Sequence, residues 1–375
     1  MEKLELKLEN GGFIYNNPDY YKESVEALDS FLSSEHYMNS MDFARRVLFF
    51  QELQANNHVE GYNDDLGYIK NVIKYRNDKK LSEQKTRIVN LYNGYNYILE
   101  GKDINKENLK ELYDLLSKGL LKPCDLNEMG EFYRKADVYI TSLPFPREED
   151  KAVKPENVER LMDSLFEYIE KTKCDSMTEE YIKSQIMHLY LVYIHPYLDI
   201  NGRTGRTIAL WELLNNKAYP YIIFNRGINF NKANYFKTIE DVKEFQTVAF
   251  FIKFMLDSVK YELEKKYVID RIKSSTKEKL SITDYQTIYF ILSMNSIRTV
   301  GDFIAYYKRH VGSKNNKEIY NNMILPLLDK GIITRGKETT NNIFDTNHNF
   351  LFDIDGSKLE IEEEKVPILK RKNKI

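Results

Sequence analysis

His195-Pro196-Tyr197-Leu198-Asp199-Ile200-Asn201-Gly202-Arg203-Thr204-Gly205-Arg206 places an imidazole, a carboxylate, an Asn-Gly turn and two guanidiniums on one short strip. Upstream, from about Glu179, Ile182, Ile186, Leu189 and Tyr193 recur at helical spacing, which predicts a buried helix delivering His195 at its C-terminal end. Pro196 stops that helix, because it lacks an amide hydrogen and its ring clashes with the preceding turn. A second helix is predicted from near Arg203 through Leu213-Leu214, closing at Asn215-Asn216 with Pro220 a few residues on. The chain is therefore organised around a helix-loop-helix corner.

These residue types suit phosphate chemistry. Free amides at the start of the second helix, with the positive end of its dipole, favour an anion in the loop. Gly202 lets the backbone come close to it, and Arg203 and Arg206, on neighbouring faces of the first turn, can reach forward to phosphate oxygens. Two arginines at a helix N-terminus oppose the dipole unless an anion joins them. Asp199 is then placed to hold Mg2+, which takes its remaining oxygens from phosphates and water. His195, with an ordinary pKa of about 6.5, can accept a proton from a hydroxyl near neutral pH. His188 precedes it on a similar face, but no third ligand at metal spacing accompanies the pair, so it reads as structural.

The strip resembles the signature loop of the Fic family: His-Pro-Phe, a variable residue, Asp or Glu, a small residue, Asn-Gly-Arg, two variable residues and Arg. The matching positions are His195, Pro196, Asp199, Asn201, Gly202, Arg203 and Arg206; Tyr197 stands where Phe is usual and Ile200 where a small residue is usual. The resemblance implies a helical core with a small β-hairpin flap, and a protein adenylyltransferase that moves AMP from ATP to a Ser, Thr or Tyr hydroxyl of a protein, itself included. It implies His195 as the base, Asp199 as the Mg2+ ligand, and Asn201, Gly202, Arg203, Gly205 and Arg206 around ATP. Removal of AMP, or transfer of another phosphate-linked group, would use the same residues. Homodimers are common among relatives.

Two further stretches extend the resemblance. Ser40 is expected to cap a helix from Met41 through Leu53 to Glu60, with Gly61 after it, so that Asn56 and Glu60 share a face. This end resembles the family's N-terminal inhibitory motif, Ser or Thr, three variable residues, Glu, then Gly or Asn; Asn56 replaces the Ser or Thr. The implied role of Glu60 is to pair with Arg206 and block the ATP γ-phosphate. Farther along, Tyr235-Phe236 resembles a paired aromatic position near the nucleotide, which puts Tyr235 and, seven residues after Phe236, Lys243 beside the base.

Residues 1–100 read as helical, and another helix is expected from about Lys102 to Lys122. Arg134 to Leu143 shows partial alternation and ends in Pro144 and Pro146, a short hairpin ahead of a helix at Lys154–Lys171. Its placement matches the family's flap, which holds a target segment by main-chain pairing. An apolar run occupies Val248–Met255.

The last stretch, 276–375, reads as three helices and a β-wing, a winged-helix pattern. Thr283 and Gln286 form an expected capping box, Thr299 caps a second helix through Tyr307, and a third runs from Asn316 to Lys330 and stops at Gly331. Ile332–Arg335 and Asn342–Phe344 are strand-like. Lys308, Arg309, Lys314 and Lys317 offer phosphate contacts, but Glu318 and Asp329 lie among them without a dense basic stripe, so an interaction module is favoured over DNA binding. A regulator acting on DNA through this part is the alternative from another class. The expected divisions are 1–100, 101–275 and 276–375.

A net charge of -2 excludes a wholesale polyanion binder. Cys124 and Cys174 have no metal or disulfide spacing, which suits a reducing, cytoplasmic compartment. Neither a signal-like apolar run nor a segment of membrane-spanning length occurs, so no membrane is expected.

Overall fold

The computed structural model describes residues 2–33, 48–77, 81–140, 151–276, 279–294, 299–310, 314–338 and 350–354. The chain divides into two compact units, Met1–Lys260 and Tyr261–Ile375. Residues 1–100 are thus not a unit of their own. They pack into the same body as the central corner.

The first unit opens with strands β1 (Glu2–Lys7) and β2 (Phe13–Asn16), paired antiparallel. This corrects the expectation of helix throughout 1–100. Leu4, Leu6 and Leu8 alternate with charged residues, and Asn10-Gly11-Gly12 supplies the turn, Gly11 at φ 83°. Leu6, Leu8 and Ile14 are buried beneath the hairpin.

Helices follow: α1 (Lys22–Leu32), α2 (Leu53–Val59), α3 (Leu66–Lys74), α4 (Glu83–Ile98), α5 (Lys106–Ser117) and α6 (Pro123–Asn127). Ser40 and Met41 lie outside the described residues; the helix expected to end at Glu60 is described from a wide turn at Leu48–Glu52 into α2. α5 begins later than expected because the Asn105 side chain caps it, accepting from the Asn108 amide at 2.8 Å.

α7 (Pro155–Lys171), α8 (Met177–Ile194) and α9 (Asn201–Asn215) come next. Ser176 caps α8 by accepting from the Glu179 amide at 3.1 Å. α8 is buried on nearly every face from Tyr181 to Ile194 and forms, with α9, the centre of the unit. Around them sit Tyr95, Tyr113, Tyr181, Tyr190 and Trp211, whose indole donates to the Lys102 carbonyl at 2.9 Å. α10 (Phe224–Phe230), α11 (Lys232–Phe245) and α12 (Ala249–Ser275) complete the set.

The second unit contains α13 (Ile282–Ser293), α14 (Val300–His310), α15 (Asn316–Ile319) and α16 (Leu325–Asp329), then strands β3 (Ile333–Glu338) and β4 (Phe350–Ile354), paired antiparallel. Val268 and Ile272 of α12 join its core with Ile288, Phe303 and Ile324. That moves the boundary from the expected 275 to 260. The capping box is Ser281 with Asp284, each two positions before the expected Thr283 and Gln286. The expected third helix is interrupted by a wide turn over Tyr320–Ile324, just ahead of Pro326. Pro326 has no amide hydrogen to continue the regular ladder. Asn342–Phe344 lie outside the described residues, and the second strand is at 350–354. Lys314 pairs with Glu318 at 3.9 Å, so this basic side chain already faces an acid.

Candidate active site

The loop between α8 and α9 is bracketed by two left-handed residues. His195 sits at φ 55° as the cap of α8, its amide donating to the Leu191 carbonyl at 2.9 Å. Pro196 disfavours helical geometry in the residue before it, so the chain leaves the helix there. Ile200, at φ 70°, precedes the first residue of α9 and accepts from the Thr204 amide and hydroxyl, both at 2.9 Å. A β-branched residue in this region costs about 1–2 kcal/mol. Burial of Ile200 holds it there.

Asn201 closes the loop on itself. Its Oδ1 accepts from the Tyr197 amide at 3.0 Å and its Nδ2 donates to the Tyr197 carbonyl at 2.8 Å. The Tyr197 ring stacks on Tyr113 with centroids 3.7 Å apart. Asn201 was expected to face phosphate; its amide is instead engaged with the loop's own backbone.

His195 Nδ1 lies 3.2 Å from the Val192 carbonyl. Since a carbonyl only accepts, the proton belongs on Nδ1 and the lone pair on Nε2. Burial pushes the pKa down to about 4; Arg134 and Lys243 also lower it, against the Val192 carbonyl and Glu60. The imidazole is therefore a neutral base through the physiological range.

Arg134 was missed by the sequence reading. Its Nε donates to the His195 carbonyl at 2.7 Å, Nη1 to the Ala136 carbonyl at 2.7 Å, and Nη2 to the Val153 carbonyl. Its own amide donates to the Pro196 carbonyl at 3.0 Å. One planar guanidinium thus joins the loop to both sides of the hairpin base, where Tyr139 pairs with Lys151 and the Ala152 amide donates to the Val138 carbonyl at 2.9 Å. Thr141, Ser142, Leu143, Pro144 and Pro146 of the expected hairpin lie outside the described residues.

At the other end of the loop, Glu60 follows α2 and pairs with Arg206 Nη2. A Cβ placed on Gly202 would stand 2.6 Å from Glu60 Oε1, so the carboxylate rests on the first turn of α9. Burial alone would raise its pKa, but the charge and hydrogen bond of Arg206, with Arg203 and His195, hold it below the ordinary carboxylate value. Arg206 is 1% exposed and also donates through Nε to Asn56 Oδ1 at 2.9 Å, while Asn56 Nδ2 donates to the Tyr95 hydroxyl at 3.0 Å. Asn56 and Glu60 thus converge on Arg206.

Arg203 is 5% exposed, and its Nε has no hydrogen-bond partner among the described residues. A buried cationic donor with unmet capacity is what an anion site requires. Asp199 is exposed and accepts from the Ile200 amide at 2.6 Å. No group of three or more His, Cys, Asp or Glu residues able to hold a metal occurs among the described residues. A single exposed carboxylate still fits Mg2+ brought with phosphates, because that ion takes most of its ligands from phosphate and water.

Three other expected site residues are placed differently. A Cβ on Gly205 would meet His188 Cδ2 and Val192 Cγ2 at 3.1 Å, so Gly205 serves the close crossing of α8 and α9 instead of the loop. Tyr235 is fully buried, its hydroxyl 2.9 Å from His188 Nε2, and burial raises its pKa against the nearby Arg206 charge. Lys243 donates to the Lys151 carbonyl at 3.2 Å and lines a cleft of about 580 Å³ with Glu9, Lys154 and Tyr193, which includes none of the loop residues.

A family model described as the Fic/DOC family matches residues 103–213. The chain is 25% identical over 248 residues to a protein named Protein adenylyltransferase Fic from Drosophila willistoni, covering 64% of this chain and 46% of the relative. The Drosophila melanogaster protein of the same name is 24% identical over 249 residues, covering 64% and 47%. The chain thus spans about half the length of the curated relatives it matches. Among solved structures, a Fic family protein from Desulfovibrio desulfuricans G20 shares the fold, with a TM-score of 0.55 at 18% identity over 91% of this chain and 98% of that one.

Proposed function

From a chain that carries a Fic domain at residues 103–213, we propose a protein adenylyltransferase that uses ATP, the activity for which the fly relatives are named. In this reading His195 Nε2 takes the proton from a Ser, Thr or Tyr hydroxyl of a target protein. The hydroxyl oxygen bonds the α-phosphorus as the bond to the bridging oxygen breaks, and pyrophosphate leaves. Arg203, with its unmet donor, and the free amides at the start of α9 hold the phosphates. Asp199 would hold Mg2+, which supplies charge neutralisation when bound. Arg206 serves the terminal phosphates once Glu60 withdraws, so Glu60 acts as an internal inhibitor.

The observation that carries the reading is the pairing of an open imidazole nitrogen at one end of the loop with a carboxylate seated on Arg206 at the other. A phosphate is the natural competitor for that carboxylate. Intact mass spectrometry after incubation with ATP and Mg2+ tests it on wild type, Glu60→Gly and His195→Ala. The expected result is self-modification by AMP units, stronger in Glu60→Gly and absent in His195→Ala. Bound ATP without AMP on any variant, with and without added candidate target protein, would overturn transfer to protein.

A further inference from the structure

Lys232 is the first residue of α11, a helix capped by the Asn231 side chain, which accepts from the Asn234 amide at 3.4 Å. A cation at a helix N-terminus opposes the dipole, so this ammonium needs acceptors from elsewhere. It finds them at the end of α2, where it donates to the carbonyls of His58, at 2.5 Å, and Val59, at 3.3 Å. These belong to the last turn, whose carbonyls a helix leaves without an internal partner. Val59 is bonded directly to Glu60, whose carboxylate pairs with Arg206 and rests on the first turn of α9. The ammonium thus stands one peptide unit from the residue that plugs the loop.

Two cations share that carboxylate. Burial lowers the Lys232 pKa, the Glu60 charge raises it, and the Arg206 charge lowers it again. When Glu60 withdraws, Arg206 and Lys232 lose the same counter-ion. Lys232 is half-buried, and its three donors sit on a flexible four-carbon stem, so it can turn from the carbonyls to a new anion while α11 stays in place. Phosphate oxygens are stronger acceptors for an ammonium than neutral carbonyls.

We propose that Lys232 is a ligand for the terminal phosphates of ATP in the open site, and that those phosphates compete with the end of α2 for its ammonium. This rests on the nucleotide reading above. Entry of ATP then displaces Glu60 from Arg206 and draws Lys232 from the His58 and Val59 carbonyls, so the nucleotide loosens α2 at two of its attachments. AMP lacks the terminal phosphates and does neither.

The test is isothermal titration of ATP with Mg2+, and separately of AMP, into full-length Glu60→Gly, alone and combined with Lys232→Met or Lys232→Arg. With the carboxylate gone, the grip of Lys232 on α2 no longer governs access to Arg206, so a lysine that only held the helix would leave ATP affinity unchanged. Expected for Lys232→Met is a loss of about ten-fold or more in ATP affinity, the scale of a hydrogen bond between charged groups, with AMP affinity changed less than two-fold. Lys232→Arg keeps the charge and should recover most of the loss. Unchanged or tighter ATP binding in Lys232→Met, or equal losses for ATP and AMP, would overturn the proposal and leave Lys232 as a clamp on α2. Failure of Glu60→Gly itself to bind ATP would sink the nucleotide reading instead. Amide hydrogen exchange reads the competition directly: ATP should speed exchange over Leu53–Val59 in Glu60→Gly and not once Lys232→Met is added. Exchange there that ignores ATP in Glu60→Gly would overturn the competition on its own.

Discussion

Replacing Arg134 with Met removes the guanidinium while keeping an apolar stem of similar length. Arg134 is 2% exposed, so water cannot replace it, and the carbonyls of His195, Ala136 and Val153 each lose a charged donor. At about 1.5–2 kcal/mol each, for hydrogen bonds to a charged group, the loss is about 4–6 kcal/mol. For a body of this size that corresponds to a fall of about 10–20 °C in Tm. The local effect separates this from ordinary destabilisation. Burial is the largest cause of the low His195 pKa of about 4, and the Arg134 charge adds to it. Without that charge the pKa rises part of the way toward its ordinary value of about 6.5. The sign follows: His195 binds fewer protons folded than unfolded, so its contribution to stability is complete above the unfolded pKa and lost as pH falls toward 4. In Arg134→Met that acid sensitivity shrinks while overall stability drops. Arg134→Lys keeps the charge and loses the fork, so it should lower Tm with less change in the His195 titration. Scanning calorimetry and NMR titration of the histidine Cε1–H signals, of which the chain has six, read both effects without any assumption about activity. A Tm within about 4 °C of wild type, or a His195 titration in Arg134→Met unchanged from wild type, would refute the reasoning.

Gly202→Ala puts a methyl 2.6 Å from Glu60 Oε1 and 3.1 Å from Arg206 Nη1, where the carboxylate and a phosphate replacing it would both lie; in a Glu60→Gly background it should weaken ATP binding, and isothermal titration showing unchanged affinity would speak against the loop backbone as the phosphate site. Gly205→Ala meets the His188 carbonyl at 3.2 Å and the His188 and Val192 side chains at 3.1 Å, contacts in the helix crossing that cannot all give way; a loss of about 1–3 kcal/mol in urea unfolding is expected, and an unchanged midpoint would deny the close approach. In the second unit, Lys265 and Glu262 form an ion pair 1% and 0% exposed; Lys265→Met leaves a buried carboxylate short of its cation, so melting of that unit should weaken by about 3–5 kcal/mol while ATP binding is retained, and unperturbed calorimetry would contradict the pairing.

The loop was legible because its chemistry is concentrated in contiguous residues, and the pair Asn56 and Glu60 because a spacing of four shares a helix face. Side-chain direction was not. Asn201 and Gly205 stand beside the loop in sequence, yet one turns back onto Tyr197 and the other faces α8. Arg134 carried no local signal: its main partner is 61 residues away, and an arginine in a hairpin looks like surface until the fold closes over it. The first hairpin could have been read from the Leu4-Leu6-Leu8 alternation and the Asn10-Gly11-Gly12 turn. At the start of α13 two capping frames overlap, and only the structure chooses Ser281 with Asp284.

α2 has seven residues, too few to persist as a helix in water on its own. Its hold comes from outside. Lys232 donates to the carbonyls of His58, at 2.5 Å, and Val59, at 3.3 Å, and Asn229 Nδ2 to that of Ala55 at 2.9 Å. Both residues are partly open to solvent, and the Lys232 ammonium lies close enough to Glu60 and Arg206 for their charges to act on it. On the proposed reading, the resting level of the enzyme is therefore an adjustable trait located away from its reacting atoms. Sequence change at 229, or a partner competing for its donor, resets how often the site opens while leaving the turnover of an open site intact; change at 232 also alters the charge that Glu60 and Arg206 meet.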